Sequence, residues 1–547
     1  KEAMIMPKNN QIKFEDCFNL PNPGLRSYFD IVQKGQPEEY RTTFAKGSSV
    51  QDVLQDWEPI LNQISDKWPS LVEFENDLKA KVGPMSIMKP LKDRITDIDH
   101  YYEDILLSST PVSDKAIKAV IAEFKQVKGL HPRSQQKTVD LMKKSTNSGA
   151  PYFTKRRTVL GKTLYTDCMA QKLSPYNVEM ILNKPRPEYA DGHSQYWSGA
   201  AVLGWRGQEG GPKPTDVKQR VVWMFPFSVN ICELQTYQPL IESCQNFNLV
   251  PAWVSMDAVD QRITKMFDTK ASDDVVICTD FSKFDQHFNR DMQDAAFAIL
   301  KSLLDNSPES DTFLRNYFPI KYCIPLAYEY GKIRTGLHGM GSGSGGTNAD
   351  ETIVHRALQY EAAQSKSVKL NPYSQCLGDD GVLTYPGINV DDVVDTYSAH
   401  GQEMNTDKQY VSKHDCIYLR RWHHEDYRIS DVCVGVYSTY RALGRLMEQE
   451  KYYDPDVWGS KMVALRQLSI IENVKYHPLR DQFAEFCMKR DKYRLGIDIP
   501  GFLDDIEGIA NEAIDLMPDF LGYTKSMAKD PVGISQWWIV NYLKSKR

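Results

Sequence analysis

Three short segments constrain this chain more than any other feature, because their residue types and their order are hard to obtain together by chance. They are Asp280-Phe-Ser-Lys-Phe-Asp285, Ser342-Gly-Ser-Gly-Gly-Thr347 and Gly378-Asp379-Asp380. Gly-Asp-Asp alone is usually a surface turn, and an aspartate after a strand is often only a helix cap. The ordered combination instead predicts a site in which carboxylates surround a glycine-rich loop.

Both acidic segments are predicted to lie at the ends of strands. The run 275–278 is short, apolar and β-branched, which is typical of a buried strand that delivers Asp280 at its end. Two strand-like runs flank residues 378–381, whose composition is typical of a tight hairpin turn. Carboxylates suit Mg²⁺, and nucleotidyl transfer uses two divalent cations about 3.5 to 4 Å apart. We therefore expect these aspartates to hold metal ions.

The segment between the acidic ones, residues 336–347, is rich in glycine and is predicted to be a loop that approaches a ligand closely. Residues 348–362 carry apolar side chains at helical spacing, so the loop leads into a helix N-terminus, which suits a sugar-phosphate backbone. Gly341, Gly343 and Gly346 also match a dinucleotide-binding fingerprint. Because no buried strand precedes them and no βαβ unit surrounds them, that alternative is disfavoured.

In this order the three segments resemble motifs A, B and C of viral RNA-dependent RNA polymerases. The resemblance implies an α+β right-hand fold of fingers, palm and thumb, with an antiparallel palm sheet and a largely helical thumb. It also implies RNA-templated RNA synthesis, with Asp280, Asp379 and Asp380 as catalytic ligands of Mg²⁺, or of Mn²⁺ in its place. Residues 20–29 and 347–352 most resemble the polymerases of picobirnaviruses, which are double-stranded RNA viruses.

Other segments resemble further motifs of these enzymes. Residues 218–222 resemble motif F, which holds the incoming triphosphate, and arginine suits bidentate phosphate contacts. Residues 146–151, followed by a basic triplet, resemble motif G at the template entrance. Residues 404–408 resemble motif D, in which Lys408 would protonate the leaving pyrophosphate, and residues 416–422 alternate like one strand and resemble motif E.

These motifs imply two further sets of site residues. The nucleotide set comprises Asp285, Lys218, Arg220, Ser342, Gly343, Thr347 and Asn348. The template and RNA set comprises Thr146, Ser148, Gly149, Lys155 and Arg156.

One position departs from the family pattern. Members often place an asparagine four residues after the motif B threonine, where it helps the residue matching Asp285 to sense the ribose 2′-hydroxyl. Here that position is Glu351. Either Asn348 substitutes for the missing asparagine, or Asp285 reads the sugar with another partner. We expect Asp285 to accept a hydrogen bond from the 2′-hydroxyl, because discrimination needs a paired polar group.

The chain has 547 residues, of which 41% are hydrophobic, and this leaves ample core for several subdomains. The resemblance implies an N-terminal extension that links fingers and thumb, and then the fingers, palm, and thumb with the C-terminal region. The expected ranges are 1–110 for the extension, 111–270 and 306–335 for the fingers, 271–305 and 336–420 for the palm, and 421–547 for the thumb. Apolar spacing predicts helices at 52–57, at 60–68 and in the C-terminal part. The start, Lys1-Glu-Ala, lacks a methionine, so a few residues are expected to precede it.

The formal net charge of −6 requires any RNA-binding channel to have a local basic lining. The ten cysteines form no Cys-x-x-Cys pair and are predicted to be small buried hydrophobes in a reducing compartment, without a zinc site. No signal peptide or long apolar run is visible, so no membrane partner is expected. The resemblance implies RNA template, nascent RNA, nucleoside triphosphates and a viral capsid protein as partners, in the host cytoplasm and the virion.

Two alternatives stay open at the level of sequence. A reverse transcriptase is disfavoured because such enzymes usually carry an aromatic residue where this chain has Leu377. A catalytically inactive, RNA-binding or capsid-associated protein with a polymerase-like core is disfavoured because every expected carboxylate is present.

Overall fold

A computed structural model of the protein describes residues 12–18, 22–164, 166–170, 181–185, 197–516 and 533–547. The start, Lys1-Glu-Ala, and the first two residues of the 20–29 segment lie outside these ranges. Within the described chain, no helix is both long enough and apolar enough to cross a membrane.

The helices account for most of the regular structure. They are α1 (Phe14–Cys17), α2 (Pro23–Lys34), α3 (Val50–Leu61), α4 (Pro69–Lys79), α5 (Ile95–Glu103), α6 (Asp114–Glu123), α7 (Gln135–Asp140), α8 (Leu160–Leu164), α9 (Phe227–Asn246), α10 (Pro251–Val254), α11 (Met256–Thr269), α12 (Arg290–Leu303), α13 (Pro308–Thr312), α14 (Thr347–Gln364), α15 (Val390–Ala399), α16 (Thr439–Met447), α17 (Pro455–Glu472), α18 (Arg480–Met488), α19 (Ile506–Leu516) and α20 (Trp538–Lys546).

The strands are short. They are β1 (Tyr40–Arg41), β2 (Thr166–Ala170), β3 (Ile181–Pro185), β4 (Trp197–Ser198), β5 (Ala201–Gln208), β6 (Lys218–Met224), β7 (Val276–Thr279), β8 (Leu326–Glu329), β9 (Lys332–Arg334), β10 (Gln375–Leu377), β11 (Asp380–Leu383), β12 (Tyr410–Ser412), β13 (Asp415–Tyr418), β14 (Arg421–His424), β15 (Val436–Tyr437) and β16 (Glu448–Gln449).

A four-stranded antiparallel sheet in the order β10-β11-β7-β12 carries the acidic segments. Every residue of β7 is buried, as expected for its apolar, β-branched sequence. Helices α6, α9, α12 and α14 contribute to the same hydrophobic core, through residues such as Val120, Leu240, Ile299 and Ile353. The strand predicted before Asp280 and the helix predicted after the glycine loop are therefore confirmed.

A second sheet has the order β6-β5-β8-β9 and joins residues far apart in sequence. Strand β5 pairs antiparallel with β6 and parallel with β8, which lies more than 100 residues later in the chain. This pairing attaches the segment around 306–335 to the region before residue 270.

The N-terminal residues contact both strand β8 and the C-terminal helices. Helix α2 packs against β8, with Leu25 and Phe29 in one small core beside Ala327. Helix α3, with Trp57 at its centre, packs instead into the core of the C-terminal helices. Strand β1 pairs with β16, and the fully buried carboxylate of Glu75 accepts hydrogen bonds from the first residues of α16.

Two sequence predictions of local structure need correction. The helix predicted at 60–68 does not form as one element, because α3 ends at Leu61, a 3₁₀ turn follows and α4 starts only at Pro69. Residues 416–422 are not a single strand. They form a hairpin, since Leu419 and Arg420 have φ of 54° and 61° and make the turn between β13 and β14. Nine cysteines in the described residues are buried, as predicted.

Candidate active site

The Gly378-Asp379 dipeptide forms a two-residue hairpin turn. Leu377 pairs with Asp380 across β10 and β11, so only Gly378 and Asp379 lie between the paired residues. Gly378 has φ of 57°, a conformation that glycine adopts without steric cost. Asp380 is therefore the first residue of β11 and not part of the turn, and the two adjacent carboxylates stand on rigid backbone.

The sheet register brings Asp280 to the same place. Gly381 pairs with Thr279 across the antiparallel strands β11 and β7. The next positions in this register are Asp380 and Asp280, which are therefore neighbours. The side chain of Gln409 holds the backbone of Asp280, accepting from its N–H at 2.7 Å and donating to its carbonyl at 2.9 Å. Asp280, Asp379 and Asp380 all line one cavity of about 830 Å³. The three predicted carboxylates thus meet in one place.

The carboxylates in this cavity destabilise one another. Burial, followed by the charge of Asp379, raises the pKa of Asp380 to about 7, although the N–H of Leu419 donates to its Oδ2 at 2.8 Å. Burial and the charge of Asp285 raise the pKa of Asp379, against the opposing effect of Arg220. A divalent cation would relieve this repulsion, and carboxylate oxygens are the donors that Mg²⁺ prefers. Among the described residues no three His, Cys, Asp or Glu side chains stand at metal-ligand spacing, so the fit rests on donor chemistry and charge.

The raised pKa of Asp380 predicts how the metal-free protein responds to pH. A carboxyl whose folded pKa lies near 7 favours folding below its unfolded pKa of about 4, and this stabilisation is lost as pH rises to about 7. Asp380→Asn should therefore raise the Tm in EDTA at pH 8 by roughly 1 to 3 °C, with little change at pH 4.5. Differential scanning fluorimetry measures both values, and an equal shift at the two pH values would contradict the prediction.

Basic side chains line the same cavity and are called its basic wall here. Lys218 and Arg220 of β6 line it as predicted, and so do three basic residues that the sequence did not single out, Lys81, Arg420 and Arg441. Burial, followed by the charges of Lys81 and Arg420, lowers the pKa of Lys218. Glu209 pairs with Arg420 and Arg441, and the remaining cations, Lys81, Lys218 and Arg220, suit the phosphates of a nucleotide.

The glycine-rich loop packs tightly against β6. A Cβ atom at Gly343 would lie 1.6 Å from the carbonyl oxygen of Trp223, so only glycine fits there. Ser342 Oγ accepts from the N–H of Trp223 at 3.4 Å, and Thr347 Oγ1 donates to the carbonyl of Gly341 at 3.0 Å. The backbone at Gly343 was expected to approach a ligand closely, and in the structure it lies against the neighbouring strand β6. The loop is fixed before any substrate binds.

Asp285 lies beside Glu351, the residue that departs from the family pattern. The Glu351 carboxyl is 6% exposed and hydrogen-bonds to Asp285. Burial, followed by the charge of Asp285, raises the pKa of Glu351 well above its usual range, because two neighbouring carboxylates disfavour each other's charge. Asn348, the other candidate, accepts from Trp253 Nε1 at 2.8 Å and is exposed. Asp285 therefore has a partner, and that partner is Glu351.

Lys408 also reaches the cavity. It closes a single 3₁₀ turn, Thr406–Lys408, whose start is capped by the side chain of Asn405. The side chain of Lys408 is exposed and lines the same cavity as Asp280 and Asp379. The structure thus places an ammonium donor at the site where the sequence predicted one.

The template residues form a separate turn that does not line the carboxylate cavity. Ser148 is 1% exposed, and its Oγ accepts from Thr154 N–H. Arg156 donates to Asn230 Oδ1 at 3.0 Å and lies over the ring of Phe227, and burial lowers its pKa to about 10. Both side chains therefore hydrogen-bond to other groups of the protein. Gly149 is buried and has φ of 64°. Thr146 and Lys155 are exposed and face solvent.

Carboxylates on a central antiparallel sheet, a fixed glycine loop and a basic wall define the class of right-hand nucleic-acid polymerases. A family model described as viral RNA-dependent RNA polymerase matches residues 212–431. That range contains all the predicted catalytic and nucleotide-binding residues.

Comparisons over the whole chain are more specific. A protein of human picobirnavirus, described as a potential RNA-dependent RNA polymerase, is 61% identical over 97% of this chain and 98% of its own length. The crystal structure of a human picobirnavirus RNA-dependent RNA polymerase matches with a TM-score of 0.91 at 60% identity, over 97% of this chain and 98% of that one. The RNA-directed RNA polymerase of Cryptosporidium parvum virus 1 is 31% identical over 31% of this chain and 32% of its own length. The chain belongs to the viral RNA-dependent RNA polymerases and is similar to the picobirnavirus enzymes throughout.

Proposed function

We propose that this polymerase synthesises RNA with Asp280 and Asp379 as the ligands of two Mg²⁺ ions, assisted by Asp380. The activity itself, RNA-templated synthesis of RNA from nucleoside triphosphates, follows from the family, and the α+β right-hand fold is confirmed. The reverse-transcriptase and inactive-core alternatives are thereby set aside. The observation that carries the site assignment is the meeting of the three carboxylates in one cavity with the basic wall.

The bound cations would activate the nascent 3′-hydroxyl and neutralise the departing pyrophosphate. Arg220 and Lys218 hold the triphosphate opposite the carboxylates, which fixes the α-phosphate in line with the attacking oxygen. Ser342, Gly343, Thr347 and Asn348 keep the loop rigid beneath the nucleotide. Base pairing with the template selects the nucleotide, so the protein contributes position and charge.

The template contacts are proposed for the turn at 146–151 and the residues after it. Exposed Thr146 and Lys155 are placed to touch the RNA backbone, while Ser148, Gly149 and Arg156 hold the turn in shape. Phosphate contacts of this kind weaken as salt rises. Lys155→Glu should therefore reduce template affinity more at low salt than at high salt.

The division into an extension, fingers, palm and thumb at 1–110, 111–270 with 306–335, 271–305 with 336–420, and 421–547 is proposed as well. The contacts of α2 with β8 and of α3 with the C-terminal helices support an extension that links fingers and thumb. A capsid protein as partner, and the host cytoplasm and virion interior as locations, are proposed from the similarity to enzymes of a double-stranded RNA virus.

The function is tested by nucleotide incorporation on a defined single-stranded RNA template, with and without a primer. Labelled ribonucleotides should enter a template-dependent product with Mg²⁺, and EDTA should abolish the product. Replacing Mg²⁺ by Mn²⁺ compares the two metals directly. Intact RNA binding without product under either metal would count against the proposed catalytic residues.

Asp285→Ala should weaken selection of ribonucleotides over deoxynucleotides by about tenfold or more, because the acceptor for the 2′-hydroxyl is lost. The measurement is the ratio of kcat/KM for a nucleoside triphosphate and its 2′-deoxy analogue. Glu351→Gln is the matched control, because an amide still donates to Asp285 and should largely keep the ratio. An unchanged ratio in Asp285→Ala would show that another group reads the sugar.

Lys408→Met should slow single-turnover incorporation by about 100-fold without abolishing it, because general-acid catalysis typically contributes that much. The substitution keeps the length of the side chain and removes its proton. Affinity for the nucleotide should change much less than the rate. If only KM rises, Lys408 acts on binding and is not the acid.

A further inference from the structure

The C-terminal helices enclose a second cavity of about 740 Å³ that shares no lining residue with the carboxylate cavity. One face of α17, from Ser460 to Gln467, forms its floor. The loop 43–48 and the segment 489–493, which follows α18, form its walls. We call this cavity the α17 pocket. Its volume lies within the range of roughly 300 to 1,000 Å³ that is typical of pockets for small ligands.

The α17 pocket is strongly positive in a chain of negative net charge. Its lining contains four basic residues and one acidic residue, Asp491; the basic residues are Lys46, Lys489, Arg490 and Lys492. The chain as a whole carries a formal charge of −6. A concave surface with this excess of cations concentrates anions from solution.

The carboxylate of Asp491 does not cancel this charge, because it already accepts hydrogen bonds from groups of the protein itself. Asp491 accepts from Gln467 Nε2 at 3.1 Å and from the N–H groups of Tyr493 at 3.2 Å and Leu495 at 2.7 Å. Lys489 and Arg490 have carboxylate neighbours at 3.3 and 3.5 Å. In the described chain Lys46 and Lys492 have no ion-pair partner, and both are exposed.

Beneath the floor lies a hydrogen-bond acceptor without a partner. Gln467 is only 2% exposed, and its Nε2 is fixed toward Asp491, which directs Oε1 away from that carboxylate. Among the described residues Oε1 has no hydrogen-bond partner. A buried acceptor without a partner is costly unless a donor approaches it. Because Oε1 has almost no accessible surface, a donor on a ligand would meet it only if the Gln467 side chain turned toward the pocket.

We propose that the α17 pocket binds a phosphorylated nucleotide at a site separate from the catalytic cavity, through its cations. The phosphates would lie between Lys46 on one wall and Lys492 on the other, and the sugar or base would reach the α17 floor. A free nucleoside triphosphate and the 5′-triphosphate end of an RNA chain share this chemistry. Either one would place a second nucleotide contact on the C-terminal helices.

Two photo-crosslinking probes test the proposal and separate the two sources. One is 8-azido-ATP, and the other is a short RNA with a 5′-triphosphate and 4-thiouridine as its first residue. At least one of them should label peptides of 43–48, 460–467 or 489–493 in the full-length protein. The double substitution Lys46→Glu and Lys492→Glu should reduce this labelling at least fivefold, and elongation of an annealed primer should stay within twofold of the unsubstituted protein.

Lys546→Glu is the control, since it makes the same type of substitution, with half of the charge change, at another exposed lysine of the C-terminal helices. It should leave the labelling unchanged, and Tm values should confirm that all variants fold. Labelling by the azido nucleotide assigns the site to free triphosphates, and labelling by the RNA assigns it to 5′ ends. If neither probe labels these peptides, or if labelling survives the double substitution, the proposal is wrong. The elongation assay is independent of this outcome and reports on the catalytic site alone.

Discussion

Replacing Asp379 with asparagine should reduce RNA synthesis by about 1,000-fold or more, which corresponds to about 4 kcal/mol of activation free energy. Asparagine keeps the size of the side chain and its place on the hairpin turn, but it removes the negative charge. Asp379 and Asp280 are the proposed ligands of two cations, and a neutral amide oxygen is a much weaker ligand for Mg²⁺. The loss should therefore fall on the chemical step.

The measurement is single-nucleotide extension of an RNA primer on its template, followed under single-turnover conditions at saturating Mg²⁺. Binding of the primer-template should remain within about threefold, because the role proposed for Asp379 is to hold cations and not to contact the RNA backbone. Asp273→Asn is the control, since the side chain of Asp273 is 99% exposed and lies outside the cavity. Residual activity above about one tenth in Asp379→Asn would remove Asp379 from the proposed metal site.

The local part of this site could be predicted from the sequence. The β-branched run predicts the strand before Asp280, and the glycine predicts the turn before Asp379. Both are predictable because strand propensity and turn conformation are set by neighbouring residues. The register of β7 and β11 follows once both elements exist, since one buried face fixes which residues pair. The helix after the glycine loop was predictable because apolar residues recur at helical spacing in 348–362.

The basic wall shows what the sequence could not reveal. Lys81 follows α4 in the N-terminal region, and Arg441 lies in α16, more than 350 residues later. Both reach the catalytic cavity only because the N-terminal residues pack onto the C-terminal helices. Arg420 was misjudged for a different reason, since its φ of 61° turns a predicted strand into a hairpin. No periodicity in the sequence encodes either effect.

Gly343 and Glu351 have neighbours in the structure that differ from those expected from the sequence. The glycine was predicted to let backbone approach a ligand, but its neighbour is the carbonyl of Trp223. The glutamate looked like a loss of the family asparagine, but it is buried beside Asp285 and hydrogen-bonds to it. In both cases the chemistry depends on a partner distant in sequence.

A buried ion pair beneath the glycine loop should be the main determinant of stability around the site. Lys321 and Asp350 are both fully buried, with Nζ and Oδ2 2.9 Å apart. The hydroxyls of Tyr237 and Tyr322 donate to the two oxygens of Asp350 at 2.7 and 2.6 Å. Asp350 lies in the first turn of α14, and the carbonyl of Lys321 accepts from Gly341 at 3.0 Å. The network therefore ties the loop to the helix behind it.

Lys321→Met should destabilise the protein by about 3 to 5 kcal/mol, because it leaves a buried carboxylate without its cation. Asp350→Asn should cost a similar amount by stranding the ammonium group. The double variant should cost less than the sum, since neither member of the pair is then left without its partner, and this non-additivity separates the ion pair from simple packing. Thermal unfolding of the four proteins measures the cycle. Lys332→Met is the control, because its 3.1 Å pair with Glu329 leaves Lys332 60% exposed, and it should change stability by less than about 1 kcal/mol. If Lys321→Met shifts the Tm no more than this control, the pair does not stabilise the loop.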